Sequence, residues 1–255
     1  MLRYDVAPPR ATITIDDPDR RNPLSNPAMA EMAAMVDRAA ADATVRVIVI
    51  TGAGDQAFSA GGDLSGDFVD SPIADHDARG ALAVLLRSLR HCGKPTVARV
   101  NGHALAGGFG LAAACDVVVA VKDATFGTPE IKVGLWPMMI TAVLQRVMPH
   151  KAALELMMTG RRVTADEAMR LGVVSRVVRR SDLDDAVDLV VTGLASASPL
   201  VLRLGRDAFY AVQDLDFDAA IDQLHVGLTA VAATDDAAEG VAAFLEKRRP
   251  EWRGR

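Results

Sequence analysis

The stretch LAGGFGLAAACD, residues 105–116, places a pair of glycines directly before a short apolar segment of helical character. Read from Gly108, it also matches the G-x-G-x-x-G/A fingerprint of dinucleotide-binding folds. Those folds carry the fingerprint in their first strand-turn-helix unit, with an acidic residue about 20 positions further on. Here the match lies more than a hundred residues into the chain, and Asp116 and Asp123 follow too closely. The pattern instead predicts backbone amides at a helix start, which favour a negatively charged oxygen.

A second glycine turn, FSAGGDL at residues 58–64, follows another segment with strand character. Two such turns could bring two N–H donors to one carbonyl oxygen. That arrangement is an oxyanion hole, which stabilises negative charge developing during a reaction.

Strand and helix patterns alternate along most of the chain. ATITI, VRVIVITGAG, KPTVARVNG and DVVVAVKDATFG read as strands, whereas PAMAEMAAMVDRAAAD and ARGALAVLLRSLRHC have apolar residues at helical spacing. From about Pro199 onward the pattern predicts three helices without a strand between them. We therefore expect an α/β core over residues 1–198 and a helical region over 199–255.

Composition narrows the class of protein. With 255 residues, half of them hydrophobic and 24% charged, the chain should fold into a globular protein with a sizeable core. A net charge of −5 argues against a nucleic-acid partner. Cys92 and Cys115 suggest neither a disulfide framework nor a zinc site, and the five histidines show no ligand spacing, so no metal is expected. No membrane segment or targeting signal is evident, which favours a cytoplasmic location.

The two glycine turns belong to a longer series of motifs. RRNPLS near the start, ATFGTPEIKVGLWP after the second turn, ALELMMTGRRVTADEAMRLGVVSRVV, and GVAAFLEKRRPEW at the end occur in an order that resembles the enoyl-CoA hydratase/isomerase (crotonase) superfamily over nearly the whole chain. The resemblance implies a crotonase-like spiral of ββα turns with a C-terminal helical trimerisation region. It also implies an acyl-CoA thioester as substrate, no separate cofactor, and a homotrimer or dimer of trimers.

The resemblance also implies roles for individual residues. The two backbone amides that bind the thioester oxygen match Gly62 and Gly107, and a family glutamate in the PE turn matches Glu130. The other family glutamate falls at Gly110, which has no side chain. The remaining positions implied in substrate binding are Arg21, Asn22, Leu24, Ala60, Gly61, Asp63, Leu64, Gly108, Pro129, Trp136, Phe244 and Lys247. Of these, Phe244 and Lys247 match a segment that often reaches the CoA of a neighbouring subunit.

A single glutamate favours a particular reaction. Hydration commonly divides its proton transfers between two carboxylates, whereas moving a double bond needs one base that removes and returns a proton. The sequence therefore predicts enoyl-CoA isomerisation with Glu130 as proton shuttle. Two alternatives stay open: a 2-enoyl-CoA hydratase, in which Glu130 acts alone or recruits an aspartate from a lid-like segment at residues 65–80, and a catalytically weak acyl-CoA-binding homologue. His103, beside an Asn-Gly turn, is interpreted as a hydrogen-bonded structural residue.

Overall fold

The computed structural model describes residues 1–63 and 76–255. Elements are numbered in chain order. The strands are β1 (Leu2–Ala7), β2 (Arg10–Ile15), β3 (Pro23–Leu24), β4 (Val47–Gly52), β5 (Ala57–Ser59), β6 (Gly61–Gly62), β7 (Thr96–Val100), β8 (His103–Leu105), β9 (Val117–Val121), β10 (Thr125–Gly127), β11 (Arg162–Thr164) and β12 (Arg176–Val178). The helices are α1 (Asn26–Ala41), α2 (His76–Arg79), α3 (Ala81–His91), α4 (Gly107–Ala113), α5 (Met138–Val147), α6 (His150–Thr159), α7 (Ala165–Arg170), α8 (Leu183–Ala195), α9 (Pro199–Ala211), α10 (Phe217–Ala232) and α11 (Asp235–Leu245). Short 3-10 helices occupy Pro18–Arg20, Pro129–Val133 and Arg180–Asp182.

A main sheet forms the larger layer of the described chain. Its strand order is β1-β2-β4-β7-β9-β12, and all neighbouring pairs are parallel except β1 with β2. Every residue of β4 is buried, as expected for a central parallel strand covered on both faces. The continuous β-branched run VIVIT in the sequence is the signal of this burial.

A smaller sheet, in the order β11-β10-β8-β5, positions the candidate site. Strands β5, β8 and β10 are mutually parallel, so their carboxyl ends meet at one edge. Each follows a main-sheet strand and leads towards a helix, and this produces the repeating ββα turn that the sequence predicts. The segment DVVVAVKDATFG, expected to be one strand, is two: β9 belongs to the main sheet and β10 to the small one, with a turn at Lys122 and Asp123 between them.

Helix α1 illustrates how closely a local pattern fixes an element. Ser25 caps its start by accepting a hydrogen bond from the Ala28 amide, and Met29, Met32 and Val36 line its buried face at helical spacing. The helix covers Asn26–Ala41, so it begins and ends one residue earlier than the segment PAMAEMAAMVDRAAAD expected from the sequence. Local capping and periodicity therefore agree with the tertiary packing.

Buried polar contacts fasten the C-terminal helices to the core. Asp116, at the start of β9, accepts hydrogen bonds from Thr96, from the Arg206 guanidinium at 2.8 Å and from the Tyr210 hydroxyl at 2.6 Å. Arg206 also donates to the carbonyls of Leu89 and Arg90. Helix α9 is therefore attached to the core. The predicted boundary between the α/β core and the helical region, at residues 198/199, coincides with the Ser198 cap of α9 and stays a prediction.

Within the described ranges, no single helix is long and apolar enough to cross a membrane. One sharply bent pair, Arg180–Ala195 with Pro199–Ala211 at 101°, reaches that length and composition together.

Replacing Arg206 by methionine should lower the free energy of unfolding by about 3 kcal/mol, because it leaves the mostly buried Asp116 carboxylate without its cation. Urea denaturation at fixed protein concentration measures the change. Arg203→Met is the matched control, since Arg203 lies exposed on the same helix. It should change stability by less than about 0.5 kcal/mol; equal effects of the two substitutions would contradict the proposed role of the ion pair.

Candidate active site

The two glycine turns lie in van der Waals contact at the carboxyl edge of the small sheet. Gly61 follows β5 with φ of +98°, a conformation that favours glycine. A Cβ placed on Gly61 would lie 2.5 Å from the Ala106 Cβ and 3.3 Å from the Gly107 nitrogen. Glycine at position 61 is therefore required twice, by its backbone conformation and by the closeness of the second turn.

The amide of Gly62 is directed away from its partner strand. Leu24 in β3 accepts a hydrogen bond from the Asp63 amide, and Gly62 is one residue earlier in the extended chain. Successive amides of a strand point to opposite sides, so the Gly62 N–H points away from β3. On that side lies Gly107, where an added Cβ would be 3.8 Å from the Gly62 nitrogen.

Gly107 is the first residue of α4, so its amide has no partner within the helix. The preceding Ala106 adopts φ of 50° and ψ of −127°, a strained conformation for alanine. A hydrogen bond from the Ala106 amide to the Gly127 carbonyl, 2.9 Å long, holds it there. The strain turns the chain sharply from β8 into α4, and the amides of Gly62 and Gly107 consequently lie beside each other.

Gly108 has a packing role. A Cβ at Gly108 would lie 2.7 Å from the Cβ and carbonyl oxygen of Ser59, at the end of β5. The Ser59 hydroxyl in turn accepts a hydrogen bond from the Gly61 amide. The second glycine of the pair thus lets α4 approach the first turn closely.

Glu130 enters the same edge from the neighbouring strand. It lies in the 3-10 helix Pro129–Val133, directly after β10, which pairs with the β8 strand that leads to Gly107. Its Oε2 atom is buried and has no hydrogen-bond partner in the described structure. Burial raises the pKa of the Glu130 carboxyl above its ordinary value of 4.5, and a hydrogen bond from its own backbone amide offsets this in part. A desolvated carboxylate without a cation beside it is well suited to act as a general base.

The position of the second family glutamate is closed by packing. A Cβ at Gly110 would lie 2.5 Å from the Cβ of Ile140 in α5 and closer still to its Cγ2. Ile140 is itself 2% exposed and belongs to the hydrophobic core. Position 110 therefore has no carboxylate and no room for one, which the sequence alone did not reveal.

Asn22 and Leu24 contribute to the architecture of the site. Asn22 is completely buried, and its amide nitrogen donates to the carbonyls of Ala53 and Ala57 while its oxygen accepts from the Asp17 amide. Its side-chain hydrogen bonds are thus made within the protein. The expected ligand contact of Asn22 stays a prediction, and it would use the backbone. Leu24 is 1% exposed and pairs with Gly62 between β3 and β6.

Charged residues around the first turn are also occupied. Asp63 forms a bidentate contact with the Arg20 guanidinium at 2.8 and 2.9 Å, and its expected contact with substrate stays a prediction. The Ala60 amide donates to the Arg21 carbonyl, whereas the Arg21 side chain lines a separate polar cleft. These contacts hold the turn in place from its outer side.

The remaining candidates are more widely spread. Trp136 is half-buried against the core near the Glu130 segment, which Pro129 begins. Phe244 and Lys247 are exposed at the C-terminal end, and Phe244 lines a cavity formed by residues 197–252. Leu64 and most of the lid-like segment lie outside the described residues, whose later part begins with α2. No group of three or more metal-binding side chains is assembled within residues 1–63 and 76–255.

Comparison with known proteins gives this geometry a context. The family described as enoyl-CoA hydratase/isomerase matches residues 10–255. The chain belongs to this family. A carnitinyl-CoA dehydratase of Escherichia coli is 35% identical over 249 residues, covering 95% of this chain and 94% of that protein.

Solved structures of the enoyl-CoA hydratase/isomerase family agree with the fold. An enoyl-CoA hydratase of Mycobacterium smegmatis superimposes with a TM-score of 0.94 at 33% identity, covering 98% of each chain. One of Bacillus anthracis gives 0.94 at 29% identity, covering 100% of this chain and 99% of that one. The predicted crotonase-type α/β fold is confirmed, and the chain is an enzyme of the crotonase superfamily, for which an acyl-CoA thioester is the expected substrate.

Two features of this family member escaped the sequence analysis. Ile140 lies in an apolar segment that gives no sign of facing Gly110. Position 106 is an alanine, so the sequence does not signal its positive φ as a glycine would. His103, by contrast, is hydrogen-bonded as predicted, with its Nδ1 2.9 Å from the Thr125 hydroxyl.

Substitution of Gly110 by alanine should lower the free energy of unfolding by about 2 kcal/mol, because the added methyl overlaps Ile140. Combining it with Ile140→Ala should cost less than the sum of the single changes, and a double-mutant cycle in urea measures this coupling.

The matched control is Gly193→Ala in α8, where an added Cβ has nothing within 4 Å. It should leave stability unchanged or raise it by up to about 1 kcal/mol. Additive effects at positions 110 and 140 would show that the two sites do not compete for space.

Proposed function

We propose that the protein isomerises enoyl-CoA, moving a double bond from C3 to C2 with Glu130 as the only proton carrier. The thioester oxygen would accept hydrogen bonds from the amides of Gly62 and Gly107. Glu130 would remove a proton from C2 of a 3-enoyl thioester and generate a dienolate, whose charge rests on that oxygen. Protonated Glu130 would then return the proton to C4. The reaction is redox-neutral, and the carboxylate ends as it began.

The closed position at Gly110 is the observation that carries this proposal. Adding water to a double bond requires the water to be activated and a proton to be delivered to carbon, work suited to two carboxylates. Isomerisation requires one base that can reach two carbons on the same side of the substrate. The buried, unpartnered Glu130 oxygen supports the assignment of Glu130 as this base, and Ile140 leaves no room for a second carboxylate at position 110.

Hydration or dehydration is the second candidate. Relatives named as a carnitinyl-CoA dehydratase and enoyl-CoA hydratases favour it. In this case Glu130 would perform both proton transfers, or an aspartate from the lid-like segment at residues 65–80, such as Asp67 or Asp70, would supply the second. A catalytically weak acyl-CoA-binding homologue is the third interpretation, and all three share the same oxyanion hole.

Glu130→Gln should lower kcat on 3-enoyl-CoA by at least about 100-fold, because glutamine keeps the shape of the side chain but cannot accept the proton. Wild-type activity should rise with pH on its acid side through an apparent pKa above that of an ordinary glutamate, since the base works when deprotonated. Product formation from 2-enoyl-CoA and 3-enoyl-CoA is measured in parallel.

Folding of the variant is checked by the pH dependence of stability. A carboxyl whose folded pKa is raised makes the folded state less stable as pH rises from the unfolded to the folded pKa. Glu130→Gln should therefore be at least as stable as wild type at pH 7.

Glu31→Gln, an exposed change on α1, should retain activity. Turnover of 2-enoyl-CoA alone would establish hydration, and binding without either product would establish the weak homologue.

Assembly into a homotrimer or a dimer of trimers also belongs to this proposal. Helix α10, sixteen residues long, buries none of them within the chain. Its exposed apolar side chains are Phe217, Ile221, Leu224, Val226 and Leu228. An apolar surface of this kind marks a contact between chains. Such contacts would place Phe244 and Lys247 next to the acyl-CoA of a neighbouring subunit.

Leu228→Glu should shift the protein towards smaller species, because it places a charge in the proposed contact. Light scattering coupled to gel filtration should give three or six times 27.0 kDa for the wild type. Leu189→Glu is the matched control, since Leu189 is equally exposed, at 65%, but lies on α8 against the main sheet. A wild-type monomer, or dissociation by Leu189→Glu alone, would contradict the assigned surface.

A further inference from the structure

A polar cleft of about 520 Å³ is lined in part by residues at the amino ends of β5, β8 and β10. Its charged lining consists of Arg21, Asp55, His103, Asp123, Arg162 and Arg180. Asp55 comes just before β5, His103 begins β8 and Asp123 precedes β10. The proposed catalytic amides and Glu130 leave the opposite, carboxyl ends of the same strands. Arg162 instead pairs with Gly127 at the carboxyl end of β10, and the Arg21 backbone adjoins the first glycine turn. Both side chains line the cleft from segments next to the proposed catalytic edge.

The positive charge of the cleft is only partly neutralised. Arg180 is already committed: it donates to the Asp123 carboxylate at 2.6 Å and to the Asn101 carbonyl at 2.7 Å. Arg21 and Arg162, by contrast, form no ion pair with any carboxylate of the described chain. Two guanidinium groups therefore face the cleft with open donors.

The pKa of His103 reflects the positive electrostatic potential in the cleft. Its Nδ1 is paired with the Thr125 hydroxyl, which fixes the ring in the wall of the cleft. Burial lowers the pKa of His103, and the positive charges of Arg162, Arg21 and Arg180 lower it further, against the opposing effect of Asp123. The guanidinium groups thus act together on one point of the cleft.

We propose that this cleft is an anion site that takes a phosphate group, held between Arg21 and Arg162. The proposal does not depend on which reaction the protein catalyses.

Three observations select phosphate over a weaker anion. Guanidinium groups present fixed forks of donors that match the oxygens of phosphate, and two of them converge here. The volume of the cleft is that of a small-ligand site, larger than a lone ion needs. Asp55 and Gln56 also line it, and their oxygens can accept hydrogen bonds from hydroxyls of a phosphate ester.

Binding of an anion in the cleft would affect the first glycine turn through Arg21. The carbonyl of Arg21 accepts the hydrogen bond from the Ala60 amide, one residue before Gly61. Arg21 itself has a left-handed backbone with φ of 64°. An anion that fixes the Arg21 side chain would therefore also restrain the segment that supports the turn.

The test is titration of the full-length protein with inorganic phosphate in a phosphate-free buffer at constant ionic strength, followed by calorimetry. Saturable binding at one site per chain is expected, and Arg162→Gln should weaken it by about tenfold or more. Arg179→Gln, which removes the same charge from a neighbouring exposed position, should leave the affinity within about twofold. Absence of saturable binding, or equal weakening by both variants, would overturn the proposal.

Two further measurements locate the ion and identify its source. The ring resonances of His103, assigned with a His103→Gln variant, should titrate at higher pH when phosphate is bound, because the anion offsets the guanidinium charges. An unchanged His103 titration at saturating phosphate would place the ion elsewhere and refute the assignment. If ribose 5-phosphate binds more tightly than inorganic phosphate, the ligand is a phosphate ester, whereas equal affinities identify the free ion. Either result supports the site, provided that Arg162→Gln weakens the binding.

Discussion

The contact between two chain turns, one after β5 and one after β8, is the constraint on which the site depends. Gly61 and Ala106 touch so closely that a methyl group on Gly61 would displace its neighbour. This contact brings the Gly62 and Gly107 amides side by side, at an edge where neither has a partner within its own element. The strain at Ala106 is maintained by a hydrogen bond to Gly127, in the strand that leads to Glu130. One local arrangement therefore connects all three strands that contribute to the site.

The surrounding residues act mainly by holding these turns in place. Asn22 uses its whole side chain to tie the segment before β3 to the loop after β4, and Asp63 is clamped by Arg20. Both were expected to touch the ligand. Those contacts stay predictions, and the hydrogen bonds of the two side chains show that the same segments also support the glycine turns. Their side chains contribute to preorganisation, which keeps the amides directed at the developing charge before substrate arrives.

Electrostatics separate the two edges of the small sheet. The carboxyl edge combines two amides with a desolvated carboxylate whose pKa is raised by burial, an environment that favours removing a proton and stabilising the resulting enolate. At the amino end of β8, burial lowers the pKa of His103, and the guanidinium groups that line the polar cleft lower it further. Because the strands are only three residues long, these opposite environments lie close together.

The sequence by itself determined the fold class, the alternation of strands and helices and the two glycine turns, and its family resemblance selected Glu130 as the candidate base. These are local signals: β-branched runs, helical periodicity, the Ser25 cap and glycine pairs all act within a few residues. Only the tertiary structure decided that DVVVAVKDATFG divides between two sheets, that Asn22 is buried and that Ile140 fills the space at Gly110. Each of these depends on a contact between segments far apart in the chain, where packing in three dimensions, and no local preference, sets the outcome.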